Sequence, residues 1–269
     1  MEREYLFYVV CTRVEVIFIY MLGKVVDVSV KGTVCRAGSF EEGRCPFFYG
    51  YITTKDSILY RKKVYIITNT NLTRHHVKCQ VIASVKSGGS LSAYYSLIVA
   101  PLGHVFYLPD IKNRLLKIRN KQHLRRVSCL YEKSCGAIVF KNVNYTRYFL
   151  LIKHRKNKHW GFPKGHVEMY ESDEQTARRE VKEETNLDVK ILEGFRQLGF
   201  YRPYGVIEKK VVIFLAKVLE NSSHIKVQKK EIDSYKWVTA EEVLKQLHVG
   251  NEASIFASAL RWMDVQKVY

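Results

Sequence analysis

Residues 165–187, GHVEMYESDEQTARREVKEETNL, gather seven carboxylates in a chain whose Lys and Arg outnumber its Asp and Glu by 44 to 26. Ser172 followed by Gln175 has capping-box spacing, so a helix starts at the serine. On that helix Glu180, Glu183 and Glu184 stand at i, i+3 and i+4, which puts three carboxylates on one face within reach of a common point. Like charges held so close repel, and the helix needs a compensating cation. A divalent ion is the direct solution, because hard cations such as Mg²⁺ take oxygen ligands and are shared between carboxylates and substrate phosphates. A bare EVKEE run is also what a solvated helix face looks like, so the surrounding spacing has to separate the two readings.

The rest of the chain bounds the partners. A formal net charge of +18 on 269 residues favours polyanions: nucleotides, nucleic acid, polyphosphates or anionic membrane surfaces. With 47% hydrophobic and 13% aromatic residues, two ordinary domains can be filled, and a mainly disordered chain is excluded. Six cysteines without a C-x-x-C pair suit a reducing cytoplasm better than a disulfide framework or a zinc site. The apolar run Val14–Leu22 is interrupted by Glu15 and falls short of the ~20 residues a membrane helix needs, so it reads as a buried strand. The expectation is a folded, soluble, cytoplasmic protein with no membrane partner.

Two domains follow from the pattern. In residues 1–127 the runs KVVDVSV, KKVYIIT, CQVIASV and AYYSLIVA are dense in Val, Ile, Tyr and Thr and are separated by turn signals, which predicts a small all-β barrel. The basic segment 112–126, with an apolar stripe of Leu115, Leu116 and Ile118, reads as a helix or linker closing that domain. Residues 128–269 alternate strands (SCGAIVF, YFLLIKH, KILEGFRQLGFY, KKVVIFLAKVL, YKWV) with helices over 172–185, AEEVLKQL and SIFASALRWM. This is an α/β pattern and predicts an α/β/α sandwich built around the acidic helix.

Around that helix the chain reads G-x5-E-x7-R-E-V-x-E-E-x-x-L, with Gly165, Glu171, Arg179, Glu180, Val181, Glu183, Glu184 and Leu187 at the fixed places. This resembles the Nudix box of the Nudix hydrolases. Asn186 stands where the box usually has Gly, a mild departure because Asn tolerates the left-handed conformation favoured at a helix end. The resemblance implies that Glu180, Glu183 and Glu184 bind Mg²⁺ or Mn²⁺, that Gly165 offers its carbonyl, and that Arg179 pairs with Glu171 to hold loop and helix together. It also implies hydrolysis of a diphosphate linkage by water. The general base stays open among Glu180, Glu184 and Glu231, the last in KKEIDSYKW.

Within the family, KSCGAIVF, WGFPKGHVE, VVIFLAKV and EIDSYKWVT resemble the asymmetrical diadenosine tetraphosphate hydrolases. That resemblance implies a nucleoside polyphosphate as substrate and an aromatic ring that stacks on the base, with Tyr201, Phe200 or Tyr204 as candidates; such stacking is worth ~1–3 kcal/mol. Lys164 and one of the adjacent Lys209 and Lys210 are candidates for the phosphates, since alternation turns one of the pair away. Trp160 is expected to pack. The runner-up readings are an RNA 5′-pyrophosphohydrolase, whose partner would be tracked by the segment 112–126 and the run Lys153, His154, Arg155, Lys156, Lys158, and a nucleotide- or RNA-binding protein with an idle box.

In the first domain, MLGKVVDVSVKG, CPFFYGYI, KKVYIIT and CQVIASV follow the segment order of family I soluble inorganic pyrophosphatases, with Tyr49-Gly50-Tyr51 after Pro46 as in that family. The metal-binding aspartates implied by that resemblance are missing: Asp56 is followed by Arg61, Lys62 and Lys63, which repel Mg²⁺. The expectation is a pyrophosphatase-like barrel without catalysis that binds an anion or serves as a docking module. His75 and His76 are expected to be exposed on a turn.

Overall fold

The computed structural model describes residues 20–34, 47–55, 57–70, 72–88, 94–118, 124–156, 158–202, 205–220, 222, 224–247 and 251–268. Most of Val14–Leu22, together with Pro46, Asp56 and Tyr204, lies outside them; Met21 and Leu22 are buried in a turn rather than a strand. The chain forms two compact units, Met1–Glu132 with Arg202–Glu208, and Lys133–Tyr201 with Lys209–Tyr269.

The first unit is built on β1 (Val25–Val34), β2 (Phe47–Ile52), β3 (Lys63–Ile66), β4 (His76–Ser87), β5 (Tyr94–Pro101) and β6 (Leu124–Cys129). Alternation explains them: Val26 and Val28 of β1 are buried while Val25 and Asp27 between and beside them are exposed. The order is β1-β2-β3-β5-β4, and β1 also pairs antiparallel with β4, which closes five strands into a barrel. Strand β6 adds to β4, so a boundary at 127/128 falls inside a strand. The basic segment after Leu108 is helix α1 (Leu108–Ile118), not a free linker. It buries Ile111 and Leu115, and Arg114 donates to the Thr68 carbonyl at 2.9 Å and to Asn69 Oδ1 at 2.7 Å, so that cation is engaged inside its own unit. His75 and His76 are exposed as expected.

The second unit contains β7 (Tyr131–Val143), β8 (Thr146–His154), β9 (Trp160–Gly161), β10 (Lys164–His166), α2 (Asp173–Thr185), β11 (Val189–Tyr201), β12 (Glu208–Val218), β13 (Ile232–Val238), α3 (Ala240–Gln246) and α4 (Glu252–Val265). The sheet runs β11-β12-β7-β8-β13, with β10 on β7 and β9 on β8. Its strands are apolar at successive positions because both faces are covered. On one face Cys135, Ala137 and Val139 of β7 and Val212 and Phe214 of β12 pack with Ala177 and Val181 of α2. On the other, Ile138, Phe140, Phe149 and Ile213 pack with Val243 of α3 and Phe256, Ala259 and Met263 of α4, with Phe149 edge-on to Phe256 at 4.8 Å. This is a mixed α/β sandwich. Among the described residues no helix is long and apolar enough to cross a membrane. Cys79, Cys129 and Cys135 are free and buried, and burial pushes each thiol up to about 12.

Candidate active site

Helix α2 begins as its sequence dictates. Ser172 is extended (φ −74, ψ 164), its Oγ accepts from the Gln175 N–H, and Gln175 Oε1 accepts from the Ser172 N–H at 2.8 Å. It ends at Asn186, which takes the left-handed conformation (φ 65, ψ 10) while its N–H donates to the Lys182 carbonyl, so the Asn performs the turn that Gly usually performs. Asp173 is not a bare surface acid. It pairs with Lys133 at 2.5 Å and Arg196 at 3.0 Å, fixing the start of the helix to β7 and β11.

Ala177 and Val181 dock one face of the helix, which carries Glu180 and Glu184 into buried positions and leaves Glu183 exposed. Gly165 makes this possible. A Cβ there would lie 2.1 Å from Glu180 Cδ, so the carboxylate is seated directly against the glycine. Glu184 Oε2 accepts from the Lys164 N–H at 3.0 Å. Burial, reinforced by the charges of Glu180 and Glu231 and opposed by Lys164, pushes the Glu184 carboxyl up to about 8. Burial likewise raises Glu180, against the pull of Arg179.

Arg179 supplies the compensation that the helix needs. Its Nε and Nη2 grip both oxygens of Glu171 at 2.6 and 3.0 Å, Nη1 reaches Glu180 at 2.8 Å and Glu183 at 3.1 Å, and Nη2 also donates to the His166 carbonyl at 2.9 Å. A planar guanidinium is suited to this fork. The bond from Arg179, joined by those from Thr176 and the Glu168 N–H, holds Glu171 at about 2 despite partial burial. Glu180 and Glu183 turn to Arg179 and Glu184 to a backbone N–H, and no group of three metal-ligating side chains is gathered among the described residues. The donor set still fits a hard divalent cation: Glu180 lies against Gly165, Glu184 sits one peptide away at Lys164, all donors are oxygens, and buried carboxylates with raised pKa gain from a positive ion.

Glu184 and Gly165 open onto a cavity of about 740 Å³. Tyr201, Phe200 and Trp160 line it, as do Lys209 and Glu231. Lys209 Nζ lies 3.5 Å from His166 Nε2. Lys210 is not among the lining residues; its ammonium is 6.0 Å from the Phe200 ring, as strand alternation requires, so of the two candidates Lys209 is the one at the cavity. Lys164 lines the cavity too, and its Nζ is paired at 2.7 Å with Glu252 of α4, another lining residue. Burial alone would lower its pKa, but Glu252 more than offsets this and raises it. Trp160 packs against the core while also facing the cavity, with Lys236 Nζ 4.4 Å from its ring.

Several lining groups escaped the sequence reading. Burial, then Lys164, His159 and Lys209, pushes His154 down to about 4, which leaves a neutral imidazole in the wall. Ser134 is buried there, and its Oγ has no hydrogen-bond partner among the described residues. The run 153–158 is dispersed: Arg155 donates to the Lys229 carbonyl, Lys158 pairs with Asp233, Lys153 lies over Trp160, and His154 and Lys156 reach the cavity.

The Nudix domain model matches residues 131–267, half of the chain. The chain belongs to the Nudix family. It is similar to the asymmetrical bis(5′-nucleosyl)-tetraphosphatases of Sus scrofa, 34% identical over 124 residues that cover 41% of this chain and 80% of the relative, and of Mus musculus, 36% identical with the same coverage. A crystal structure of a C. elegans Ap4A hydrolase binary complex is 27% identical and covers 49% of this chain and 98% of its own, with a TM-score of 0.46. The acidic helix, its bracing arginine and the cavity beside them therefore belong to a Nudix pyrophosphohydrolase.

Proposed function

We propose that the Nudix domain hydrolyses a dinucleoside tetraphosphate, diadenosine tetraphosphate or a close analogue, to nucleoside triphosphate and monophosphate. The carrying observation is the cavity in which buried Glu184 faces Lys209 and the aromatic wall of Tyr201 and Phe200, a site with a place for phosphate and a place for a base. Similarity to the asymmetrical tetraphosphatases supports that substrate class. Glu180, Glu183, Glu184 and the Gly165 carbonyl would hold Mg²⁺ or Mn²⁺, which when bound neutralises phosphoryl oxygens and acidifies a water.

The chain's own residues do the rest. Arg179, fixed by Glu171, sets the rotamers of Glu180 and Glu183. Lys209 meets the phosphate chain, Tyr201 stacks on a base, and Glu231 at the cavity takes the proton of the attacking water. Lys164 acts through its backbone N–H on Glu184, its ammonium being held by Glu252. The free, buried thiols agree with a cytoplasmic setting. For the barrel, the cations at Arg61, Lys62 and Lys63 support the reading of a pyrophosphatase-like domain without catalysis.

Incubating the purified chain and Mg²⁺ with diadenosine tetraphosphate, nucleotide sugars, nucleoside triphosphates and 5′-triphosphorylated RNA tests the reading. Fastest turnover of the tetraphosphate, with ATP and AMP as products, is the expected result. Faster release of pyrophosphate from the RNA would replace it with the RNA 5′-pyrophosphohydrolase reading.

A further inference from the structure

The barrel presents an outward face that the hydrolase reading leaves unused. Strands β1, β2 and β3 turn Val28, Gly50, Ile52, Val64 and Ile66 inward, where they are buried, so alternation turns Tyr49, Tyr51, Lys63 and Tyr65 outward; the Tyr65 end is half-buried, its ring packed edge-on at 6.3 Å against buried Phe47, and Tyr51 and Lys63 form the exposed end. The register arranges these four as two cross-strand pairs, Tyr49 opposite Tyr65 and Tyr51 opposite Lys63. Lys63 Nζ stands 4.8 Å from the Tyr49 ring centre and 5.9 Å from that of Tyr65, an ammonium set among rings. On β1, Gly32 is the partner of Tyr49, and its missing side chain lets the ring lie across the neighbouring strand, since a Cβ there would be 3.1 Å from Tyr49 Cε1.

The chain between β2 and β3 extends the pattern. The Arg61 guanidinium is 5.3 Å from the Tyr60 ring, and Arg61, Lys62 and Lys63 are all exposed. Tyr51 and Tyr60 are each 40% exposed. Basic residues predominate around them, with Asp27 of β1 the exposed acid two residues from Ser29, the partner of Tyr51. From Ser57 to Pro109 the sequence has six Lys and Arg and no Asp or Glu, and residues 1–132 hold 20 basic residues against nine acidic.

We propose that this face, Tyr49, Tyr51 and Tyr65 with Lys63, edged by Arg61 and Lys62, binds single-stranded RNA. Rings at alternate positions of a strand, about 6.7 Å apart, offer π-faces to unpaired bases, and cations placed between them meet the phosphates without reading sequence. A duplex keeps its bases stacked inside and engages only the cations. An acidic peptide offers carboxylates to the cations but no aromatic base at each residue for the rings. The rings of this face that reach solvent are tyrosines, whose hydroxyl can exchange hydrogen bonds with a ribose 2′-hydroxyl, and this favours RNA over DNA. The inference stands apart from the hydrolase reading, because it needs neither a metal nor a pyrophosphate.

The test uses the full chain in EDTA and a fluorescent oligouridylate of about a dozen nucleotides with a 5′-hydroxyl end, so that the Nudix site has no pyrophosphate to recognise. Anisotropy should show binding that weakens steeply with salt. Tyr51→Leu and Lys63→Gln should each weaken it roughly five- to a hundredfold. Both variants should hydrolyse diadenosine tetraphosphate at the wild-type rate and melt within a few degrees of wild type. No binding by the wild type at low salt, wild-type affinity in both variants, or equal affinity for duplex RNA or for oligodeoxyuridylate of the same length would each overturn the proposal.

Discussion

The two units handle charge in opposite ways. In the Nudix domain, negative side chains are driven into the protein: Glu180 and Glu184 are 9% and 3% exposed, and each is held by a named donor. In the barrel, Arg61 and Lys63 stay at the surface beside tyrosine rings. A buried charge gains from few partners and loses heavily when one is missing, so it selects chemistry. An exposed charge is screened and gains a little from many partners, so it selects only for sign. One region is built for a reaction and the other for contact.

Glu184→Gln tests the buried side most severely. The amide keeps an acceptor for the Lys164 N–H and removes the charge, so the fold should persist while kcat falls roughly a hundredfold or more. Retained turnover would take Glu184 out of the reaction. Next is Arg179→Lys, which keeps one positive charge but loses the fork that holds Glu171, Glu180 and Glu183 together. A Mg²⁺ titration of activity should show an apparent metal affinity weaker by roughly 10- to 100-fold, and an unchanged titration would mean that charge alone suffices.

The smallest effect is thermodynamic. Without metal, the folded protein holds a proton on Glu184 up to about 8, while the unfolded chain releases it near the ordinary value of 4.5. The folded state therefore binds more protons between those values, and this contribution to stability is lost as pH rises through the window. Added Mg²⁺ should recover it, so the gain in Tm should be larger near pH 8.5 than near pH 5.5. At about a hundred times Kd the linkage is ~2.7 kcal/mol, or roughly 5–10 °C. Equal gains at both pH values would show that the metal does not meet Glu184.

Much of the Nudix domain was legible because its signals are local. Ser172 and Gln175 begin α2, Asn186 ends it, and the spacing of Gly165, Glu171, Arg179 and the three glutamates names the motif. What stayed hidden depends on residues far apart in the chain. Nothing near Lys164 announces Glu252, the carboxylate that pairs with its ammonium at the cavity. Adjacent lysines at 209 and 210 could be split by alternation, but only the folded cavity, lined by Lys209 and not by Lys210, says which one faces it. The basic segment after Leu108 reads as helix or linker; its stripe includes Leu115, but the burial of Ile111, one turn earlier, depends on the barrel it packs against. Repulsion along α2 was foreseen, yet its first remedy is an arginine of the same helix.

Gly165 also constrains heredity. Its backbone torsion lies outside the left-handed region, so no conformational demand explains why a glycine stands there. The cause is the carboxylate pressed against it. Gly165 and Glu180 are thus two halves of one shape, and lineages that add a methyl group at the first position should be those that shorten the acid at the second by a methylene.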